Sequence, residues 1–261
     1  MRLLLGRYDK VVLVSEELSS ANNHKGLRLL CGLDHENVLQ IIHEAKERFS
    51  RADEGVLVVQ MDGQKSAWRG RDPASDFLQE FVTLTGENLL CLCPSYRVIR
   101  DLRRTITRPL EEKGIAVFSQ GIDGGPTIAG HLSEPNTVVL SRFGVEIPAS
   151  ATGGSKVLVI PKRPFAPPNT VDDLRRKELS ALGEDGFVQV NVLPAVFWIR
   201  SYIAIQNQIH KRSSVVLLDP KILPGVRGWG QSFSDAMIDI DKIVCLPHEA
   251  ISRIGAWVKT E

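Results

Sequence analysis

The run Lys156-Val-Leu-Val-Ile-Pro-Lys-Arg-Pro-Phe-Ala-Pro-Pro168 limits the folds open to this chain more than any other stretch. Val157–Ile160 is a short, unbroken apolar segment rich in β-branched residues, as in strands of a parallel sheet covered on both faces. Pro161 and Pro164 withdraw backbone donors where such a strand should stop, and Pro167-Pro168 keeps the following chain extended. The loop is therefore expected to present Lys162, Arg163 and Phe165 at the carboxyl edge of a sheet. Open α/β sheets bind their ligands at that edge.

Further strands are predicted at residues 10–15, 55–61, 88–93, 115–119, 137–140 and 215–219. Helices are predicted between them. Residues 26–33 and 37–48 carry helical spacing, with Val38, Ile41, Ile42 and Ala45 forming an apolar stripe. Asp72 as N-cap and Pro73 at the first position open another helix, with Phe77, Phe81 and Leu84 expected inward and Gly86 at its end. A third follows Ser95-Tyr96. A fourth is expected to be capped by Thr170, to carry Asp172 and Asp173 in its first turn, to bury Val171, Leu174, Leu179 and Leu182, and to stop at Gly183. Apolar helices are predicted at 194–210 and 248–257, and the chain beyond 219 is expected to close one edge. This alternation predicts one α/β domain over residues 1–261, with a largely parallel sheet and helices on both faces.

Composition narrows the functional classes. No apolar run approaches the roughly 18 residues that a membrane span needs, and the opening apolar segment is too short for a secretory signal, so a cytoplasmic protein is expected. The formal net charge is +1, so any case for a polyanionic partner must rest on local clusters. One such cluster is visible. Arg97, Arg100, Arg104 and Arg108 recur at steps of three and four, giving a basic helix stripe that is either a solvated face or a phosphate-tracking surface. The four cysteines show no CxxC spacing; Cys91 and Cys93 should share one strand face as buried thiols, and no metal site is expected. The Gly-rich turn at 120–125 is neither GxGxxG nor a phosphate-binding P-loop.

Taken in order, several segments resemble the second RecA-like motor domain of the DinG/XPD branch of superfamily-two DNA helicases. Cys91-Leu-Cys-Pro-Ser-Tyr96 is similar to the family's Phe-Thr-Ser-Tyr-like segment, and Gln120-Gly121 to its Gln-Gly turn. Arg142-Phe-Gly-Val-Glu-Ile-Pro-Ala149 resembles the Trp-Glu-Gly-Val-Asp-Ile-Pro-Gly loop, and Lys162-Arg-Pro-Phe-Ala-Pro-Pro168 the Lys-Leu-Pro-Phe-x-x-Pro segment. The resemblance covers roughly residues 10–219. It implies a RecA-like fold and single-stranded DNA as partner, with Ser95, Tyr96, Arg97, Arg100, Arg104, Gln120, Arg142, Lys162 and Arg163 as nucleic-acid-binding residues.

The departures concern ATP. Phe143 replaces the glutamate of the Trp-Glu-Gly loop. Counting back from the strand at 215–219 puts Ala204 and Asn207 where the family has arginines facing ATP, which leaves Glu146, Arg200, Asn207 and Arg212 as candidates for a nucleotide interface. No GxxxxGK[ST] is present, so no cofactor is expected in this chain, and ATP and Mg would come through a partner domain. Two functions fit: the nucleic-acid-binding half of a helicase that works with a separately encoded ATP-binding domain, or a non-catalytic interaction subunit derived from one. With no phosphate cradle, the chain on its own is expected to hydrolyse ATP at background rate. A malachite-green phosphate assay that found robust turnover by homogeneous protein would overturn this.

Overall fold

The computed structural model describes residues 50–51, 54–61, 72–124, 126–143, 154–166, 168–238 and 240–259. The strand predicted at 10–15, the helices at 26–33 and 37–48, and Glu146 lie outside these.

Among the described residues the chain forms one eight-stranded sheet. Its strands are β1 (Ser50–Arg51), β2 (Glu54–Met61), β3 (Leu89–Cys93), β4 (Ala116–Ser119), β5 (Thr137–Arg142), β6 (Val157–Ile160), β7 (Arg212–Leu217) and β8 (Lys242–Cys245). The spatial order is β1-β2-β7-β6-β3-β5-β4, with β8 also pairing β2. Only β1 runs antiparallel to its neighbour; the other ladders are parallel. The largely parallel α/β sheet expected from the sequence is thus observed. The strand at Lys242–Cys245 was not expected, although Ile243-Val244-Cys245-Leu246 is a continuous apolar run as long as that of β6; it is less buried than the central strands.

Alternate residues of the central strands feed two separate cores. Leu89, Cys91, Cys93, Val157, Val159 and Val216 face α1 (Pro73–Thr85), α2 (Tyr96–Glu111) and the C-terminal helix, Pro247–Lys259. Leu90, Leu92, Leu158, Ile160, Val215 and Leu217 face the opposite core, with Val196, Ile199 and Ile203 of helix Leu193–Ile209. In chain order the helices after α2 are α3 (Thr170–Ala181), α4 (Leu193–Ile209), α5 (Gly230–Asp235) and α6 (Pro247–Lys259). A single π-helical turn, Val188–Val192, leads into α4. Together they make the 22-residue stretch Val188–Ile209, apolar enough by length and composition to cross a membrane, but it packs as a core helix against the sheet.

Local chemistry explains the helix ends, and three expectations about the helices are corrected. α1 begins with Pro73 and ends at Gly86, whose φ of 69° is the left-handed conformation glycine adopts most easily. Phe77 and Phe81 are fully buried and stacked at 5.7 Å, but Leu84 is 63% exposed. The buried arc of α1 runs through Ala74, Leu78, Phe81 and Val82, and Leu84 falls on its flank. In α3 the N-cap is Asn169 rather than Thr170: its Oδ1 accepts from Asp172 N at 2.9 Å. None of the expected core residues of α3 is buried. Val171, Leu174 and Leu182 are exposed and Leu179 only half-buried, because the helix lies outermost on its face, against the π turn.

The amino edge of the sheet is tied by Asn88. Its Nδ2 donates to the carbonyls of Leu132 and Glu134, at 2.7 and 2.8 Å, and to that of Gly154 at 3.3 Å, while its Oδ1 accepts from Thr137 N at 2.9 Å. Phe81→Ala is expected to cost about 3–5 kcal/mol by urea unfolding, and Leu84→Ala less than about 0.5 kcal/mol. Equal costs would contradict the burial of one and the exposure of the other.

Candidate nucleic-acid interface

Because β6, β3, β5 and β4 are parallel neighbours, the residues that follow them emerge along one edge. Lys162 follows β6, Ser95 and Tyr96 follow β3, Arg142 ends β5 and Gln120 follows β4. Four strand ends spaced at about 4.8 Å span about 14 Å. The chain leaves β3 for α2 on one face of the sheet and leaves β6 for α3 and α4 towards the other. Neighbouring strands whose connections diverge in this way open a crevice at their carboxyl ends.

The residues at this edge have distinct tasks. Tyr96 is 44% exposed, and the Arg142 guanidinium lies over its ring, 5.6 Å from the centroid. Beneath it is Gly121, at φ 81°, where an added Cβ would stand 3.0 Å from Tyr96 Cε1. A side chain there would displace the ring. Gln120 is buried: its Oε1 accepts from Ser141 Oγ at 3.1 Å and from Arg142 N at 2.7 Å, and so fixes the end of β5 from which Arg142 projects. Ser95 caps α2, its Oγ accepting from Val98 N at 3.4 Å. Lys162 is exposed and takes part in no ion pair among the described residues.

Arg163 is engaged elsewhere. Its Nη1 donates to Asp219 Oδ2 at 2.9 Å, its backbone N to the same oxygen at 3.1 Å, and its guanidinium lies over both Phe165 and Trp229. Asp219 is buried, and its other oxygen accepts from Lys221 N at 3.0 Å. Phe165 packs edge-on against Trp229 and Phe187. This knot pins the proline loop, and so the position of Lys162, to the end of β7. Sequence reasoning missed Asp219 as a partner, although the parallel register that sets Ile160 beside Leu217 carries both chains on to this contact.

The arginines of α2 stand apart from the crevice. Ile99, Leu102, Ile106 and Leu110 face the core, so Arg97, Arg100, Arg104 and Arg108 point away from the sheet. Arg97 and Arg104 share Asp101 at 4.0 and 3.8 Å, and Arg108 pairs with Glu112 at 2.9 Å. Arg100, four residues on from Tyr96, is its neighbour on the helix surface; at about 1.5 Å of rise per residue, Arg104 lies about 12 Å from Tyr96 along the helix.

Of the described nucleotide-interface candidates, Arg200 stands apart from Asn207 and Arg212. Arg200 is 5% exposed and its Nη1 donates to the Ala236 carbonyl at 3.4 Å, inside the second core. α4 ends just before β7 begins, which puts Asn207 near the amino edge. Arg212 starts β7 at that same edge, its guanidinium 5.0 Å from the Trp257 ring centroid. Among the described residues no group of three or more His, Cys, Asp or Glu side chains could hold a metal ion. The Cys91 and Cys93 sulfurs lie 3.8 Å apart on one buried face of β3, as expected, and burial pushes the Cys91 thiol up.

No protein-family model matches the sequence, and no curated protein matches it. Solved structures do. A structure named "XPD_Helicase" superposes with a TM-score of 0.60 at 14% identity, covering 85% of this chain and 41% of that one. A second, "XPD_APO", gives 0.59 at 16% identity, covering 85% and 46%. The chain has an XPD-like helicase fold. Its parallel sheet with helices on both faces is RecA-like, and it spans less than half the length of either neighbour.

If the Arg163 knot holds the loop, Asp219→Ala should lower stability by about 3 kcal/mol, because it strands a guanidinium and two backbone donors. Lys162→Ala should change it by less than about 0.5 kcal/mol. Chemical denaturation of both variants separates the two roles, and a neutral Asp219→Ala would dissolve the knot.

Proposed function

We propose that this chain is the nucleic-acid-binding half of a DinG/XPD-like ATP-dependent DNA helicase, which engages single-stranded DNA and depends on a separate domain for ATP and Mg. The observation that carries the reading is the edge itself. An exposed tyrosine braced by Gly121, the Arg142 guanidinium and the Lys162 ammonium all rise from adjacent parallel strand ends at a topological switch point. An aromatic face beside cations is the chemistry that holds single strands: bases stack on the ring and phosphates meet the charges.

The roles divide along the lines the contacts draw. Tyr96 stacks, Arg142 and Lys162 meet phosphate, Ser95 offers its hydroxyl, and Gln120 and Arg163 position the others. Arg97 and Arg100 lie within about one turn of Tyr96, and Arg104 continues the positive field along α2. The protein works in the cytoplasm, without a membrane.

A second reading, a non-catalytic interaction subunit that keeps the fold, is favoured by one observation. Arg200 is buried against the Ala236 carbonyl and Arg212 lies at the opposite edge, so neither stands beside the crevice to face a nucleotide in a neighbouring domain.

Binding of a fluorescent single-stranded oligonucleotide, titrated with salt and compared with a duplex, tests the first reading. Tyr96→Ala should weaken binding by about 1–3 kcal/mol. Arg142→Ala and Lys162→Ala should each reduce the slope of log K against log salt by about 0.7. No binding at low salt, or slopes untouched by both variants, would leave the interaction-subunit reading standing.

A further inference from the structure

Helix α3 contradicts its own sequence. Val171, Leu174 and Leu182 fall on one stripe at helical spacing, the pattern of a helix with a covered face, yet they are 58%, 55% and 72% exposed and no residue of the helix is buried. A contiguous exposed apolar stripe rimmed by polar and charged residues is the kind of surface that marks a contact face. The charges beside this stripe identify what covers it. Arg175 borders it, more than half exposed and paired among the described residues with Asp172 at 3.9 Å, and the exposed Glu178 sits within it.

We propose that α3 docks antiparallel on α3 of a second copy of this chain, about a two-fold axis passing between Arg176 and Lys177. In that register Val171 meets the second copy's Leu182, Leu174 meets its half-buried Leu179, and Arg175 meets its Glu178. Each contact occurs twice, as an isologous interface requires. The alternative registers are poorer. Moving the axis towards the C-terminus sets Glu178 against Glu178, and moving it towards the N-terminus leaves Leu182 without a partner. In this register the apolar and charge complementarity of the helix with a second copy coincide.

The face is one helix of 12 residues, about 18 Å long, so the dimer is weak and depends on concentration. The contact uses none of the residues at the carboxyl edge of the sheet, so it stands or falls apart from nucleic-acid binding.

Sedimentation equilibrium of the full chain from micromolar to near-millimolar concentration tests it. The wild-type protein should pass reversibly from monomer to dimer. Arg175→Glu and Glu178→Arg, each alone, place like charges opposite one another and should weaken the dimer about tenfold or more, the equivalent of about 1.4 kcal/mol. Mixing the two single variants should restore association through heterodimers, in which both charge pairs are again opposite, and the double variant should dimerise as the wild type does. Both substitutions lie on a helix with no buried residue, and circular dichroism confirms that the fold survives. A wild-type chain that stays monomeric throughout, a dimer indifferent to the single variants, or single variants that fail to associate on mixing would each overturn the proposal.

Discussion

Val157, Leu158, Val159 and Ile160 are covered on both faces of the sheet, so the backbone polar groups of β6 have to be met by β3 and β7. That constraint orders the rest of the molecule. It fixes the register of the central strands and divides their side chains between two cores. It also sends every connection out at the sheet edges, where irregular backbone can be solvated. The carboxyl edge then gathers Tyr96, Gln120, Arg142 and Lys162, which are far apart in the sequence. The crevice is thus a by-product of strand order: α2 leaves one face and α3 the other.

Positive charge in this protein does two different jobs, and only contacts separate them. Lys162 and Arg163 are neighbours in the same proline-stiffened loop. One side chain is exposed, while the other is clasped by Asp219, Phe165 and Trp229. Gln120 shows the same division: its carbonyl oxygen is spent on Ser141 and Arg142, so it shapes the site from below. In α2 the stripe of arginines is partly neutralised by Asp101 and Glu112, and exposed pairs of this kind contribute little to stability. Their contribution is to the field around the crevice.

The sequence made the central strands legible because a run such as Val157–Ile160 can be satisfied in few ways, and Pro73 and Gly86 punctuate α1 where backbone chemistry demands it. It also placed Tyr96, Gln120, Arg142 and Lys162 at strand ends, which is where they stand. Burial on helices was harder to read. The same apolar spacing that buries Phe81 leaves Leu84 on a flank and all of α3 outside, since periodicity shows that a stripe exists and says nothing of what lies opposite. Partner choice was harder still: Arg163 with Asp219, and Arg200 with the Ala236 carbonyl, join segments that meet only in the folded chain. β8 did leave a signal, the short apolar run Ile243-Val244-Cys245-Leu246, although no strand was expected beyond 219; its partner β2 and the exposure of Val244 appear only in the fold.

Asn88 gathers the carbonyls of Leu132, Glu134 and Gly154 and the amide of Thr137 at the end of the sheet opposite the crevice. The sheet is in that sense mechanically polar. At one end three distant segments are riveted through a single amide, and at the other the loops are tied in pairs, the end of β4 to β5 through Gln120 and the proline loop to β7 through Asp219. A ligand at the crevice therefore meets side chains that brace one another, Gln120 with Arg142 and Arg142 with Tyr96, on strands that share a common anchor at their far end.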